Sequence, residues 1–341
     1  MPIDIYTNTD YPLTSEYWID AKSQGLSSRL LVFIPGNPGL IDYYVTYMNI
    51  ISEKYPGYDV LVVGHAGYQT SGDYLVAAKG LHPDFYDLDY QIDHKVKILK
   101  KRILDGHDQL SFMCHSVGSF ITQRVIKKLL EDKELEGKVR IEFVGFICPT
   151  IVDIAKSDSG VLFTKLFNNL PVVTLAVWFV CFLQFLLTDS LARSIIKKYA
   201  IDSPCLNDKR LIEAHENAVD ATFKIYKSPR IVRQALSLAR EELNVIHRDD
   251  QLNDWFFETL PRNFDVKIWC FFAFNDYWVH DNTRDYILGR YHNLENESVK
   301  FQVGDDDKKD FKSIGHSFCV DQTVEFAKVT IAALEEMKFG K

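Results

Sequence analysis

The chain has 341 residues, 39 Lys and Arg against 47 Asp and Glu, a formal net charge of −8 and 47% apolar residues. Such proportions exclude a disordered chain, and they argue against nucleic acid as a partner, because neutralising phosphates needs clustered Lys and Arg. The length holds a sizeable core in one large domain with an insertion, or in two small domains.

In chain order, Leu30–Ile34 is a short β-type run that ends at the turn residues Pro35-Gly36-Asn37-Pro38-Gly39. Ile41–Tyr55 spaces its apolar residues at helical intervals, and Tyr58–Val63 is a second strand ending at Gly64-His65-Ala66-Gly67. Leu88–Leu104 reads as helix, Leu110–Met113 as a third strand and Phe120–Leu130 as an amphipathic helix. Ile141–Ile147 is a further strand, ending at Pro149. Strands alternating with helices imply an α/β fold with a mostly parallel sheet flanked by helices.

The alternation stops between about Asp153 and Arg262, where the pattern is helical with no clear strand. It resumes at Val266–Phe274, apolar at nearly every position as a central parallel strand is. Lys300–Val303 follows as strand, Asp305–Asp307 as a solvated turn, and Asp321–Met337 as a closing helix. The expected organisation is a sheet core in two parts, residues 1–152 and 263–341, with a helical cap over residues 153–262.

The six cysteines, Cys114, Cys148, Cys181, Cys205, Cys270 and Cys319, include no C-x-x-C pair and no zinc-ligand spacing. Residues Met1 to Asp20 lack the apolar core of a signal peptide, and a reducing, cytosol-facing location is expected. The terminal Phe339-Gly340-Lys341 matches neither a peroxisomal nor a prenylation signal. No glycine-rich phosphate loop is present, and no metal or organic cofactor is expected.

The most informative segment is Leu110-Ser111-Phe112-Met113-Cys114-His115-Ser116-Val117-Gly118-Ser119. It reads strand, tight turn, helix, with Ser116 at the apex as in a nucleophile elbow. Cys114 replaces the first glycine of G-x-S-x-G. The simpler reading is a serine N-cap; the position on the third strand–helix unit favours the nucleophile. The amide of Val117, at the helix N-terminus, is placed to stabilise an oxyanion. A second donor is expected from the Gly36–Asn37 region, since the flanking prolines have no N–H.

A serine hydroxyl needs a base. His316, in a glycine-containing loop before the last helix, fits better than His107, His115 or His280. Asp276, the first carboxylate after the most apolar strand, is the expected acid, ahead of Asp153 and Asp281. The order Ser116, Asp276, His316 suits a hydrolase triad. An acyltransferase of the H-x-x-x-x-D type is disfavoured, because Phe120 stands where the aspartate would be.

Together, Ile34-Pro35-Gly36-Asn37-Pro38-Gly39, Gly64-His65-Ala66-Gly67, His115-Ser116-Val117-Gly118, Asn275-Asp276-Tyr277-Trp278 and Gly315-His316-Ser317-Phe318 resemble the lipid droplet-associated hydrolases. The resemblance implies an α/β-hydrolase fold with Ser116 as nucleophile, Asp276 as acid and His316 as base. It also implies residence on lipid droplets or the endoplasmic reticulum, with neutral-lipid or sterol-ester hydrolysis.

One stretch departs from the average composition. Leu170 to Leu187 carries no charge. As a helix it would be about 27 Å long, just short of a ~30 Å hydrocarbon core. Crossing would leave the two parts of the sheet on opposite sides of the membrane, and no second stretch of that quality returns the chain. Two readings stay open: a buried cap helix, or an element embedded in one leaflet through Leu170, Trp178, Phe179, Phe182 and Leu187. The next segment sets Arg193, Lys197 and Lys198 beside Ile195, Ile196 and Tyr199, an interfacial composition. The expectation taken forward is a serine ester hydrolase acting on a lipid ester at a droplet monolayer or endoplasmic reticulum surface. Its rival is a droplet-associated interaction protein that keeps the fold with little catalysis. The oligomeric state is unreadable from the sequence.

Overall fold

A computed structural model describes residues 5–7, 14–22, 28–70, 85–201, 208–293, 296–304 and 314–340. Its centre is an eight-stranded sheet. The strands are β1 (Ile5–Thr7), β2 (Ser15–Ile19), β3 (Arg29–Ile34), β4 (Asp59–Val63), β5 (Gln109–His115), β6 (Arg140–Ile147), β7 (Lys267–Phe272) and β8 (Val299–Val303). They lie in the order β1-β2-β4-β3-β5-β6-β7-β8. β2 runs antiparallel to β1 and β4, and every other pairing is parallel.

Both faces of the sheet are covered, so the inner strands are apolar at consecutive positions. Leu30, Val32 and Ile34 of β3 join Leu110, Phe112 and Cys114 of β5 beneath the helices Leu88–Leu104 and Val117–Glu131. Leu31 and Phe33 face the other way. They pack with Val60, Val62, Trp269 and Phe271 against the helices Val45–Lys54 and Thr323–Glu336.

β6 ends at Ile147 and β7 begins at Lys267; the regular elements between them are all helical among the described residues. Ser228 caps the helix Pro229–Val245 by accepting from the Ile231 amide, and Pro229 suits its first turn. Ile231 and Leu238 of this helix enter the same core as β3 and β5, so it forms a roof over that side of the sheet.

The structure adds β1 and β2, which the sequence pattern did not indicate. In β2 the fully buried residue is Glu16, whose carboxylate pairs with Arg102 at 3.1 Å. A charge at the buried position hides the strand from any hydrophobic count. Cys205 and the Asp305–Asp307 run lie outside the described residues. The other cysteines are free thiols.

Candidate active site

β5 and the helix Val117–Glu131 are joined by Ser116 alone, at φ 53 and ψ −125. Positive φ is costly for a non-glycine residue, and here it turns the chain sharply and lifts the hydroxyl off the sheet. The helix must start close to β3. A Cβ on Gly118 would stand 2.4 Å from the Ile34 carbonyl oxygen and 2.6 Å from that of Pro35. A Cβ on Gly36 would meet His115 Nδ1 at 2.9 Å and Ser116 Cβ at 3.1 Å. These two glycines let the first loop press against the elbow. Cys114 turns its thiol into the core, 3.5 Å from the Gly145 carbonyl oxygen, and burial pushes the thiol up to about 12. It leaves the turn intact.

The loops after β7 and before the last helices bring Asp276 and His316 to the same edge. His316 Nε2 lies 3.0 Å from Ser116 Oγ, and His316 Nδ1 lies 2.8 Å from Asp276 Oδ2. Asp276 Oδ1 accepts from the amides of Trp278 at 2.8 Å and Val279 at 3.0 Å. The carboxylate only accepts, so Nδ1 carries the His316 proton and the Nε2 lone pair faces the serine hydroxyl.

The other candidates are engaged elsewhere. His107 bonds Asp59, and His280 caps the helix Asp281–Tyr291. Asp153 pairs with Lys156, and Asp281 with Arg284. His115 supports the site from behind. Its Nε2 lies 2.8 Å from the His316 carbonyl oxygen, which can only accept, so Nε2 holds the proton. Its Nδ1 therefore accepts from the Tyr44 hydroxyl at 2.8 Å, and that hydroxyl accepts from the Gly36 amide at 3.3 Å. Burial, with the charge of His316 as the next cause, holds His115 well below the usual histidine range. It stays neutral.

The Gly36 amide is thus already spent on Tyr44, which corrects the expectation that it faces the oxyanion. Val117 and Asn37 remain as donor positions. The Asn37 side chain is locked: Nδ2 donates to Ala235 O and to Glu242 Oε1, both at 2.9 Å, and Oδ1 accepts from the Tyr68 hydroxyl at 2.8 Å. Ser116, His115, His316, Asn37 and Glu242 line a cavity of about 260 Å³, with Phe163 and Trp278 among its apolar walls. The one group of potential metal ligands among the described residues is Cys148, Asp276 and His316, whose donor atoms lie within 4.8 Å of one another. Burial pushes the Cys148 thiol well above its ordinary value, which keeps it a poor ligand, and the other two are bonded to each other.

The apolar stretch forms the helix Val172–Leu186, in which only Val177 is buried. Leu170, Trp178, Phe179 and Phe182 are exposed and Leu187 is half-buried, so the alternative of a helix buried over the site is corrected. No single described helix is long and apolar enough to cross a membrane; Asp158–Asn169 and Val172–Leu186 meet that test only as a pair bent by 90°. The basic residues beyond it are partly neutralised, Arg193 by Asp220 and Glu216 and Lys197 by Glu216.

A serine on a strand–helix elbow, backed by a bonded histidine and aspartate on a mostly parallel sheet, defines an α/β-hydrolase. Solved structures agree on the fold. A carboxylesterase from Nitrososphaera gargenis superposes with a TM-score of 0.56 over 98% of each chain at 12% identity. A serine hydrolase from Cycloclasticus zankles gives 0.55 over 99% of each at 15% identity. Residues 27–319 match the family described as lipid-droplet associated hydrolase, and the chain belongs to that family. The lipid droplet-associated hydrolase of Gallus gallus is 25% identical over 314 residues, covering 90% of this chain and 84% of that protein.

His115, Tyr44 and Glu242 were not identified from the sequence as site residues. His115 has a signal there, its place beside the serine; Tyr44 and Glu242 reach the site only through the fold.

Proposed function

We propose that this hydrolase is a serine ester hydrolase that acts on lipid esters at the cytosol-facing surface of a lipid droplet or the endoplasmic reticulum. The observation that carries the reading is the relay from Ser116 Oγ through His316 to Asp276, at 3.0 and 2.8 Å. His316 Nε2 takes the hydroxyl proton as Oγ attacks the ester carbonyl, and Asp276 stabilises the imidazolium. The amides of Val117 and Asn37 hold the tetrahedral oxyanion. His316 returns the proton to the leaving alcohol as the acyl–serine bond is left behind. Water, activated by the same imidazole, then releases the carboxylic acid and restores the serine.

The lipid surface is supported by the relatives' names and by the exposed apolar face of the cap. Trp178, Phe179, Phe182, Phe185 and Leu186 of one helix, with Val161 and Leu162 of the one before it, are all exposed, and large apolar side chains grouped in this way mark an interaction surface. A droplet monolayer has oil rather than water behind it, so a bent pair of helices immerses without crossing. Phe163, next in the chain to exposed Leu162, lines the cavity, so the helix that carries part of this face also reaches the site.

Purified protein should hydrolyse p-nitrophenyl butyrate, and Ser116→Ala should lose the activity. The Asp276→Asn variant should lose about 10⁴-fold in kcat. Turnover equal in wild type and Ser116→Ala would contradict the reading and favour the interaction protein.

A further inference from the structure

Glu242 is a carboxyl group inside the pocket of an enzyme read as handling apolar esters. It comes from the roof helix Pro229–Val245 and is 5% exposed. Ala235 O on the same helix can only accept, so Asn37 must aim its amide nitrogen that way, and the same nitrogen serves Glu242 Oε1. Oε1 is therefore an acceptor. The second oxygen, Oε2, has no protein partner among the described residues, and the residue lines the cavity that holds Ser116.

Burial, with a further contribution from Glu241 and against the Asn37 amide, pushes Glu242 up to about 8. A value of about 8 favours the neutral carboxyl at pH 7. With Oε1 accepting from Asn37, the proton of the neutral acid belongs on Oε2, which makes that oxygen the donor this lining residue can offer to the cavity. The cavity sets Phe163, Trp278 and Ile154 beside its polar residues, and a buried O–H costs free energy unless something accepts from it.

We propose that Glu242 is a specificity-determining residue that donates a hydrogen bond to a second oxygen of the substrate, beside the scissile ester. Esters of a polyol, such as acylglycerols, carry that oxygen. A sterol ester or a simple alkyl ester carries none beyond the scissile group. The substrate class this assigns is the glyceride type. The inference rests on the serine-hydrolase reading above and narrows its substrate.

The test compares kcat/KM for two soluble esters of one acid, glycerol monobutyrate and propyl butyrate. The wild type should prefer the glycerol ester by about tenfold or more, because the alkyl ester leaves the buried donor unpaired. Glu242→Leu should bring the ratio close to one. Glu242→Gln should keep the preference, since its amide oxygen still accepts from Asn37 while its N–H₂ donates to the substrate. The ratio within each variant is the readout, so a change in absolute rate does not disturb it, and fluorophosphonate labelling of each variant reports a working serine. Equal constants for the two esters in a labelled wild type, or a preference that survives Glu242→Leu, would overturn the assignment of Glu242 and leave the serine-hydrolase reading standing. Absence of both labelling and turnover in the wild type would overturn that reading and this inference with it.

Discussion

His115 Nε2 stands 2.8 Å from the main-chain carbonyl oxygen of His316, so the residue before the elbow serine holds the residue that faces it. With Tyr44 and the Gly36 amide, it makes a buried chain of hydrogen bonds from the first loop to the last. In the proposed reaction His115 touches no reacting atom, and its expected role is to position His316. His115→Phe strands the His316 carbonyl and the Tyr44 hydroxyl. We expect kcat to fall by about 10- to 100-fold with KM little changed, and stability to fall by roughly 1–3 kcal/mol. Tyr44→Phe keeps the ring and loses only the hydroxyl, and should show a smaller kcat effect. A rise in KM with kcat intact would contradict this role.

Gly118 and Gly289 should respond to alanine with opposite signs. The first would put a methyl 2.4 Å from a backbone oxygen, whereas nothing lies within 4 Å of the second. Gly118→Ala is expected to cost roughly 1–3 kcal/mol by overpacking and to lower the melting temperature and turnover together. Gly289→Ala, inside the helix Asp281–Tyr291, should be neutral or stabilise by up to about 1 kcal/mol. Thermal melts of the two variants check this directly.

Glu242 makes a prediction about stability against pH. Its folded-state value of about 8 is raised from the ordinary carboxyl value near 4.3. Below that ordinary value both states hold the proton; between it and about 8 only the folded state does, so this contribution to stability falls as pH rises through the window. Half-buried Glu241, pushed up to about 7 chiefly by burial, acts in the same direction. The melting temperature of Glu242→Gln relative to wild type should therefore climb from pH 5 to 8 and level off above it. Parallel curves would contradict a buried, protonated Glu242.

The exposed cap helix predicts a variant that folds but does not bind lipid. Trp178, Phe182 and Phe185 are 68%, 56% and 86% exposed, so changing all three to Asp removes no core contact. Each large apolar side chain buried in lipid contributes roughly 1.5–3 kcal/mol, so partition onto phospholipid-coated triolein droplets should fall by about 100-fold or more. Flotation of the variant beside the wild type measures it, with an unchanged melting temperature as the control. Because Arg193 and Lys197 are already paired with Glu216 and Asp220, replacing neutral headgroups by anionic ones should change wild-type binding little.

Much of this was legible from residues alone. Both sheet faces are covered, so β3, β4, β5, β6 and β7 read as short apolar runs, and turn residues mark where they end. That Ser116, Asp276 and His316 come together followed from order along the chain, because a parallel sheet places successive loops at one edge. What escaped was whatever depends on one polar group meeting another across the fold. Glu16 in β2 is buried where Arg102 reaches it. The Gly36 amide is diverted by Tyr44, a contact that spacing does not encode. Glu242 lies on the amphipathic roof helix among charged neighbours, and only the packing of that helix over Asn37 sets it in the pocket.

The central claim is that Ser116 is an activated nucleophile. Intact-mass and peptide mapping after treatment with a fluorophosphonate probe tests it most directly. A single adduct on Ser116, absent in Ser116→Ala and slowed sharply in His316→Ala, is the predicted result. An unlabelled wild type, or labelling that persists in Ser116→Ala, would contradict it.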